Sequence, residues 1–450
     1  MSNCQKWIIK NIIGILLFLT LPAWGAYEPA PVRVSENGKG SVLIFPFYTT
    51  ENGWDTYINV LGGMDRYSLR SSPILHMKVR SPETGDVTDA FNIYLKKHEN
   101  FRASISANAE GKFILRVAEG TCVIDGNRDI TSAHYGGVGT EFALENSLGS
   151  IELYVTNNYL DFSDESEWKS DSDCSDFMNS WRSGSWASDS SSGVLSALEQ
   201  PEMQGKANLV NVGKGLASEY LSTALVNTEI DLPHLKASNT ILDLSQVKGG
   251  ENTYGGGIQA VIGALEKHDI SNEVVVLDEI NAKTDWVITY PLAGYANYKP
   301  FEFISNGKTK YCDSFYATPK EGSPSVVSSR WAWPHAFVSF GNGVQSENFF
   351  YQDMVDFSSI PPAPEESISL NVCNAVNVLA FDSSESIVTN PTSEYLEYMN
   401  GVVVNPVSTV TWSYSSPYIL GFRLTTFENG TLNGGNTLAN YSLLSKHNYE

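Results

Sequence analysis

The stretch SVLIFPFYTTENGWDTYINVL, residues 41–61, decides the fold class of this chain. Its first part, Ser41–Tyr48, is a continuous apolar run of the kind found in buried strands. Asn52-Gly53 is a turn dipeptide, and the run at Thr56–Leu61 follows it at hairpin distance. These residues predict a hairpin of two short strands joined by a tight turn.

Short apolar runs and turn signals continue to alternate beyond this stretch. Residues Leu75–Arg80 (LHMKVR) alternate apolar and basic side chains, which predicts a strand with one buried face and one basic face in solvent. Further strands are expected at Phe91–Leu95, Phe113–Val117, Cys122–Ile124 and Ile151–Thr156. Strands this short and this close together predict an immunoglobulin-like β-sandwich over residues 26–160.

The composition of all 450 residues agrees with a mainly β protein. The chain holds 20 Phe, 22 Tyr and 10 Trp beside 36 Gly and 19 Pro, a mixture that suits strands and turns better than helices. Lys and Arg number 29 against 51 Asp and Glu, so the formal net charge is −22. Nucleic-acid binding is not expected, because a phosphate backbone attracts clustered Lys and Arg.

The N-terminus has the three parts of a secretory signal peptide. Lys6 and Lys10 precede an apolar stretch, Ile12–Leu21, that is too short to span a bilayer, and Ala23-Trp24-Gly25 offers a cleavage site. We expect residues 1–25 to be the signal peptide of an extracytoplasmic protein, with a buried N-terminal helix or an uncleaved anchor as alternatives. No later stretch is apolar for long enough to predict a membrane helix, so integral membrane insertion is not expected.

Four cysteines follow the predicted signal peptide. Cys122, Cys174, Cys312 and Cys373 are an even number in a protein expected to be exported, which favours disulfide bonds. Three connectivities are allowed, and pairing of nearest neighbours, Cys122–Cys174 and Cys312–Cys373, would keep each bridge within one half of the chain. Free buried thiols are the alternative, whereas the spacing does not fit a zinc site.

Composition changes between the two halves of the chain. Residues 161–200 are rich in Ser and Asp and show no hydrophobic period, so they are expected to form a loop or linker. Residues 201–450 contain further strand-like runs and are expected to form a second, larger β-rich domain. Within that domain, one amphipathic helix is predicted by the spacing of Ile258, Val261, Ile262 and Leu265.

Two groups of residues are candidate binding sites. Asp171, Asp173 and Asp176 are weak candidates for calcium, because the Gly turn and the distal Glu of a calcium loop are missing. Trp331 and Trp333 alternate along the chain, so on a strand they would share one face that could stack on a sugar or peptide. The alternative for both tryptophans is a place in the hydrophobic core.

The catalytic and cofactor motifs tested are incomplete. The run GGGIQA at 255–260 resembles a dinucleotide-binding turn, but no strand runs directly into its first Gly. The run GKT at 307–309 lacks the earlier Gly of a phosphate loop, and no G-x-S-x-G or H-E-x-x-H sequence occurs. The sequence therefore assigns no catalytic residue and no cofactor, while a glycosidase carboxylate pair stays open because Asp and Glu are abundant.

Three phrases lie near the start, middle and end of the chain: GKGSVLIFPFYTTENGWDTYINV at Gly38–Val60, TDWVITYP at Thr284–Pro291 and YILGFRLTTFENGTLNGGNTLANYS at Tyr418–Ser442. Together they resemble a family of secreted or surface-located, β-rich bacterial proteins. The family is largely uncharacterised, and residues 161–193 depart from its pattern. The resemblance implies export in a Gram-negative bacterium, to the periplasm, outer surface or medium. It assigns a catalytic role to none of the residues of this chain.

Together these features predict an exported, non-catalytic, surface-associated structural or adhesive protein. A glycan-binding protein or glycoside hydrolase with an aromatic platform is the first alternative. A subunit that assembles into a surface filament through strand edges is the second. The expected partner is a cell-surface glycan, a protein or a further copy of the chain.

Overall fold

The structure is a computed structural model of the chain. It describes residues 30–62, 72–95, 100–118, 121–125, 133–135, 141–158, 202–228, 244–247, 257–265, 269–275, 281–295, 301–305, 308–317, 368–372, 376–381, 387–389, 407–413, 419–428, 430–432, 435 and 437–449. The predicted signal peptide, residues 1–25, lies outside the described residues.

The described residues are mostly in strands. The first fifteen strands are β1 (Arg33–Val34), β2 (Lys39–Gly40), β3 (Val42–Thr49), β4 (Asp55–Gly62), β5 (Ser72–Arg80), β6 (Val87–Tyr94), β7 (Phe101–Ala107), β8 (Phe113–Val117), β9 (Cys122–Asp125), β10 (Ala133–Tyr135), β11 (Glu141–Leu144), β12 (Leu148–Asn158), β13 (Met203–Asn211), β14 (Leu216–Leu221) and β15 (Thr223–Val226). The later strands are β16 (Asp269–Val275), β17 (Ala282–Thr289), β18 (Phe301–Ser305), β19 (Lys308–Ala317), β20 (Ile368–Val372), β21 (Val376–Phe381), β22 (Ile387–Thr389), β23 (Val407–Ser413), β24 (Leu420–Phe427), β25 (Thr431–Leu432), β26 (Thr437–Leu438), β27 (Tyr441–Lys446) and β28 (Asn448–Tyr449). The helices are α1 (Ile258–Leu265) and two 3-10 helices, Glu51–Gly53 and Leu244–Gln246.

Strands β1–β15 form two large sheets. The eight-stranded sheet has the order β1-β15-β3-β12-β5-β6-β9-β10, and the seven-stranded sheet has the order β11-β8-β7-β4-β13-β14 with β2 beside β13. Buried side chains of both sheets, among them Phe45, Met77, Ile58 and Phe101, form one hydrophobic core. The sheets therefore pack face to face. The predicted mainly β fold class is confirmed, and an immunoglobulin-like strand topology stays a prediction.

The Asn52-Gly53 turn joins the two sheets and not two paired strands. β3 pairs with β12 and β15 in the eight-stranded sheet, whereas β4 pairs with β7 and β13 in the seven-stranded sheet. The predicted hairpin is therefore wrong, although both strands exist. Asn52 and Gly53 have positive φ angles of 54° and 78°, and this local reversal carries the chain from one layer to the other.

On strands β3 and β5 of the eight-stranded sheet, the outer face is buried as well as the inner face. All eight residues of β3 are buried, as expected for a strand covered on both sides. On β5, His76, Lys78 and Arg80 are only 5%, 4% and 3% exposed. The predicted basic solvent face is therefore wrong, because later parts of the chain cover it.

Strands from beyond the predicted linker complete both sheets. β13 pairs with β4, and β15 pairs with β3 and β1. Residues 203–226 thus share sheets and core with residues 33–158, across the linker predicted at 161–200. The domain limits predicted from the sequence stay predictions.

The second half of the chain adds three more sheets and the predicted helix. The strand orders of the two larger sheets are β18-β19-β23-β16-β28, with β20 beside β19, and β22-β21-β17-β24-β27, and β25 and β26 form the two-stranded sheet. Val287, Phe422 and Leu424 of the second of the two larger sheets reach the core of the first half. α1 lies where the spacing predicts it and buries Val261 and Leu265. Among the described residues, no helix is both long and apolar enough to cross a membrane.

Candidate functional site

Most residues predicted to form a site lie outside the described part of the chain. These are Asp171, Asp173, Asp176, Trp331, Trp333, Cys174 and Cys373. The backbone of Cys312 lies on β19. Cys122 on β9 is fully buried and disulfide-bonded, and the pairings Cys122–Cys174 and Cys312–Cys373 stay predictions. Within the described ranges, no group of three or more His, Cys, Asp or Glu side chains is placed to hold a metal ion.

A buried ion pair lies on the outer face of the eight-stranded sheet. Arg80 ends β5, and Glu152 lies diagonally across from it on β12, because Ser150 is the residue directly opposite Arg80. Arg80 Nε is 2.7 Å from Glu152 Oε1, and Arg80 Nη2 donates to Glu152 Oε2 at 2.8 Å. The Tyr154 hydroxyl donates to the same Oε2 at 2.6 Å. The carboxylate is therefore held by two neighbouring strands.

Tyr295 brings the second half of the chain to this ion pair. Arg80 Nη2 donates to the Tyr295 hydroxyl at 2.5 Å, and that hydroxyl donates to Glu152 Oε2 at 3.2 Å. The backbone N–H of Leu244 also donates to the hydroxyl, at 3.0 Å, so its proton and both lone pairs are used. We call Arg80, Glu152, Tyr154 and Tyr295 the Arg80 clamp.

Two glycines allow close approach of the backbone beside the clamp. The Gly85 carbonyl accepts a hydrogen bond from Arg80 Nη1 at 2.7 Å. A Cβ atom at Gly294 would lie 2.0 Å from that carbonyl oxygen and 2.9 Å from Arg80 Nη1. Gly85 itself has a φ of +75°, a backbone conformation that other residues rarely adopt. Glycine at both positions is therefore a condition for the docking of the second half.

Burial and the neighbouring charged and polar groups together set the protonation of the Arg80 clamp. Burial alone would lower the pKa of Arg80, but the Glu152 carboxylate, joined by Tyr295 and Tyr154, outweighs burial and raises the pKa above its ordinary value. Burial, followed by the Glu152 charge, raises the pKa of Tyr154. Tyr295 is 9% exposed, and Arg80 and Glu152 still less. Groups enclosed in this way join parts of the molecule and do not meet a partner in solution.

A second buried cluster surrounds His447 in the later half. His447 Nε2 lies 3.0 Å from the Val287 carbonyl oxygen, so this nitrogen carries the proton. The other ring nitrogen accepts from Asn272 Nδ2 at 3.3 Å. The ring lies against the fully buried Trp286, with centroids 4.9 Å apart. Burial is the main cause that lowers the pKa of His447, to about 4, and the charge of Arg423 acts in the same direction.

The outer face of the seven-stranded sheet, by contrast, reaches solvent. β4, β7 and β13 each alternate buried residues with more exposed ones. The buried members, such as Ile58, Ile105 and Leu209, belong to the core, so the residues between them point outward. We define the open sheet face by nine outward residues: Tyr57, Asn59, Arg102, Ser104, Arg116, Glu141, Lys206, Asn208 and Glu219.

One row of side chains crosses six strands of the open sheet face. The register places Tyr57 of β4 directly between Ser104 of β7 and Asn208 of β13. Beyond these, the row continues to Arg116, Glu141 and Glu219. Tyr57 is 43% exposed, and its ring therefore stands near the middle of the row with small or polar neighbours on both sides.

A second row lies beside the first. Asn59 is directly between Arg102 and Lys206, so Arg102 is a diagonal neighbour of Tyr57 at about 7–8 Å. The Asn59 Oδ1 atom is enclosed and has no hydrogen-bond partner among the described residues. An enclosed acceptor without a partner costs free energy, and this one lies within the exposed face.

Ion pairs flank the centre of the open sheet face. Arg116 Nε lies 2.9 Å from Glu141 Oε1, and Lys206 Nζ lies 2.9 Å from Glu219 Oε1. Both carboxylates are on the edge strands β11 and β14 of this sheet. Arg102 is exposed and has no ion pair among the described residues.

Sequence reasoning missed the open sheet face. The strand at Thr56–Leu61 is predicted, but the neighbours of Tyr57 are set by a register that joins it to residues 104 and 208. No local signal gives such pairings, because the side-chain period of a strand says nothing about its partner. The period-two alternation in MQGKANLVN at Met203–Asn211 is the signal that could have marked a half-exposed sheet.

No protein family, no curated protein and no solved structure matches this chain.

Proposed function

We propose that this chain is an exported, non-catalytic, surface-associated adhesive protein that binds its partner through the open sheet face. The observation that carries the proposal is the exposure of Tyr57 among polar side chains on a face that spans six strands. Tyrosine offers a large, amphipathic contact area at a low cost in conformational entropy, which makes it a frequent anchor in binding surfaces.

The scaffold under the open sheet face is rigid, and this favours binding. β4 is a central strand with a hydrogen-bonded neighbour on each side, and its inward residues Ile58 and Val60 are almost fully buried. Side chains that stand on such a strand are held in place before a partner arrives. Binding then costs less ordering entropy than binding by a loop.

The second half of the chain covers one edge of the same sheet. Ser218 Oγ on the edge strand β14 lies 2.7 Å from Ser442 Oγ on β27, and the Ser442 hydroxyl is 2.9 Å from the Ala217 carbonyl oxygen. A covered edge does not template strand pairing with another molecule. This favours binding through the face over assembly of a filament through β14.

Export is supported by the signal-peptide pattern of residues 1–25 and is tested separately. Native cells are fractionated, and intact cells are treated with protease before the chain is detected with an antibody. Recovery from the outer surface or the medium is expected. Recovery from the cytoplasm with residues 1–25 still attached would refute export.

Adhesion is tested with beads that carry the chain from residue 26 onward. Retention of the beads on bacterial and host-cell surfaces under flow is compared for the unmodified chain, Tyr57→Ala and Tyr441→Ala. Tyr441 is 52% exposed on β27 and is the matched control outside the open sheet face. We expect Tyr57→Ala to lose retention and Tyr441→Ala to keep it. Equal retention of the two variants would refute the open sheet face as the adhesive surface.

A further inference from the structure

We propose that the ligand of the open sheet face is an acidic glycan, a chain of pyranose sugars that carry carboxylates. One sugar ring lies on Tyr57, and its carboxylate, or that of the next sugar, binds Arg102. The inference rests on the proposed function, because it names the partner that the same face binds.

Tyr57 provides the stacking position. A pyranose ring has an apolar face of C–H groups, and an aromatic ring that stands exposed on a sheet can cover it. On either side, Ser104 and Asn208 are short polar residues in register with Tyr57. They leave room over the ring and offer hydrogen bonds to sugar hydroxyls.

Arg102 provides the charge complement. Its diagonal position places it within one sugar of Tyr57, and it is exposed without an ion pair among the described residues. A guanidinium binds a carboxylate through two parallel N–H···O bonds, which gives both strength and orientation.

The other charged side chains of the open sheet face are arranged in ion pairs around its centre. The cations Arg116 and Lys206 lie on strands next to the centre, whereas their carboxylate partners Glu141 and Glu219 lie on the edge strands. Asp55 also lies near Tyr57 on β4, and its partial burial raises the pKa of its carboxyl group while Arg116 opposes that shift. The carboxyl groups of Asp55, Glu141 and Glu219 thus balance Arg116 and Lys206, and Arg102 is the cation of the face that has no ion pair among the described residues. An unpaired, exposed cation favours an anionic ligand.

The test measures binding by calorimetry with the chain from residue 26 onward. The probes are oligogalacturonate, oligomannuronate and oligosialate, each paired with its carboxyl-reduced, neutral counterpart. We expect at least one acidic probe to bind about tenfold or more tightly than its neutral counterpart. Tyr57→Ala and Arg102→Gln should each weaken that binding by about tenfold.

Matched variants outside the face control for general effects. Arg33 is exposed on β1, so Arg33→Gln removes one positive charge elsewhere, and Tyr441→Ala removes an exposed ring elsewhere. Both should bind as the unmodified chain does, and thermal melts confirm that all four variants fold. Binding that Arg102→Gln leaves unchanged, or equal binding of polyglutamate, would overturn the inference. So would the failure of every acidic probe. Bead retention lost in Tyr57→Ala would then still support the proposed function with a different partner.

Discussion

Arg80 Nε lies 2.7 Å from Glu152 Oε1, and neither side chain is more than 4% exposed. The pair lies between the sandwich and the turn that carries Tyr295, and every polar contact around it is made within the protein. Buried ion pairs are costly to desolvate, so their net worth depends on such contacts.

Removal of one partner of the pair should be more harmful than removal of both. Glu152→Gln leaves the Arg80 charge buried without its counter-charge, so the free energy of unfolding should fall by about 3–5 kcal/mol. The double variant Arg80→Met with Glu152→Leu removes both charges and should recover most of that loss. Urea unfolding of the unmodified chain, Arg80→Met, Glu152→Leu and the double variant gives the coupling energy. If the losses in free energy of unfolding of the two single variants simply add up in the double variant, Arg80 and Glu152 are not coupled, which would contradict the Arg80 clamp.

Gly294 should not tolerate a side chain. A Cβ atom there would meet the Gly85 carbonyl oxygen at 2.0 Å, and this is backbone that cannot move aside without displacing Arg80. Gly294→Ala should lower the free energy of unfolding by about 1–3 kcal/mol or more. Gly213→Ala is the matched control, because its nearest atom would be the Asn211 side-chain oxygen at 3.7 Å. Equal melting temperatures of the two variants would show that the close approach is absent in solution.

Acid should destabilise the protein through His447. Its pKa is lowered from 6.5 to about 4 in the folded chain, chiefly by burial. Between these values the unfolded chain binds a proton that the folded chain does not, so the contribution of His447 is complete above pH 6.5 and is lost as the pH falls towards 4. The loss is at most about 3 kcal/mol. His76, buried beside Asn92, acts in the same direction.

The His447→Gln variant checks this assignment. A glutamine can still donate to the Val287 carbonyl oxygen but does not titrate. Urea unfolding at several pH values between 4 and 7 should show a shallower loss of stability in the variant than in the unmodified chain. Parallel curves for the two proteins would mean that His447 is accessible to protons in the folded state.

Cys122 should be joined to Cys174. Non-reducing digestion and mass spectrometry of the exported chain should recover that pair, together with Cys312–Cys373. Loss of the first bridge in Cys122→Ser should lower the free energy of unfolding by about 2–5 kcal/mol. A peptide that joins Cys122 to Cys312 or Cys373 would instead tie the two halves of the chain covalently and refute the predicted connectivity.

Local patterns predicted the elements of this fold well. The apolar run at Ser41–Tyr48, the alternation at Leu75–Arg80 and the helical spacing at Ile258–Leu265 each correspond to an element of the expected type. These patterns are readable because the strand period of two and the helix period of 3.6 repeat within a few residues. The same patterns could not show the partners: the Asn52-Gly53 turn is a good hairpin signal, yet it connects two sheets.

The sequence by itself therefore determined the mainly β class and the placement of α1. Only the tertiary structure decided which faces of the sheets are exposed to solvent. Arg80 is basic and alternates with apolar neighbours, so the pattern predicts that its side chain is exposed to solvent. In the structure, Tyr295, 215 positions later in the chain, helps to enclose it. Tyr57 belongs to a similar alternating strand and stays exposed. The difference lies in what packs over each sheet, and contacts between distant residues leave no trace in a local period.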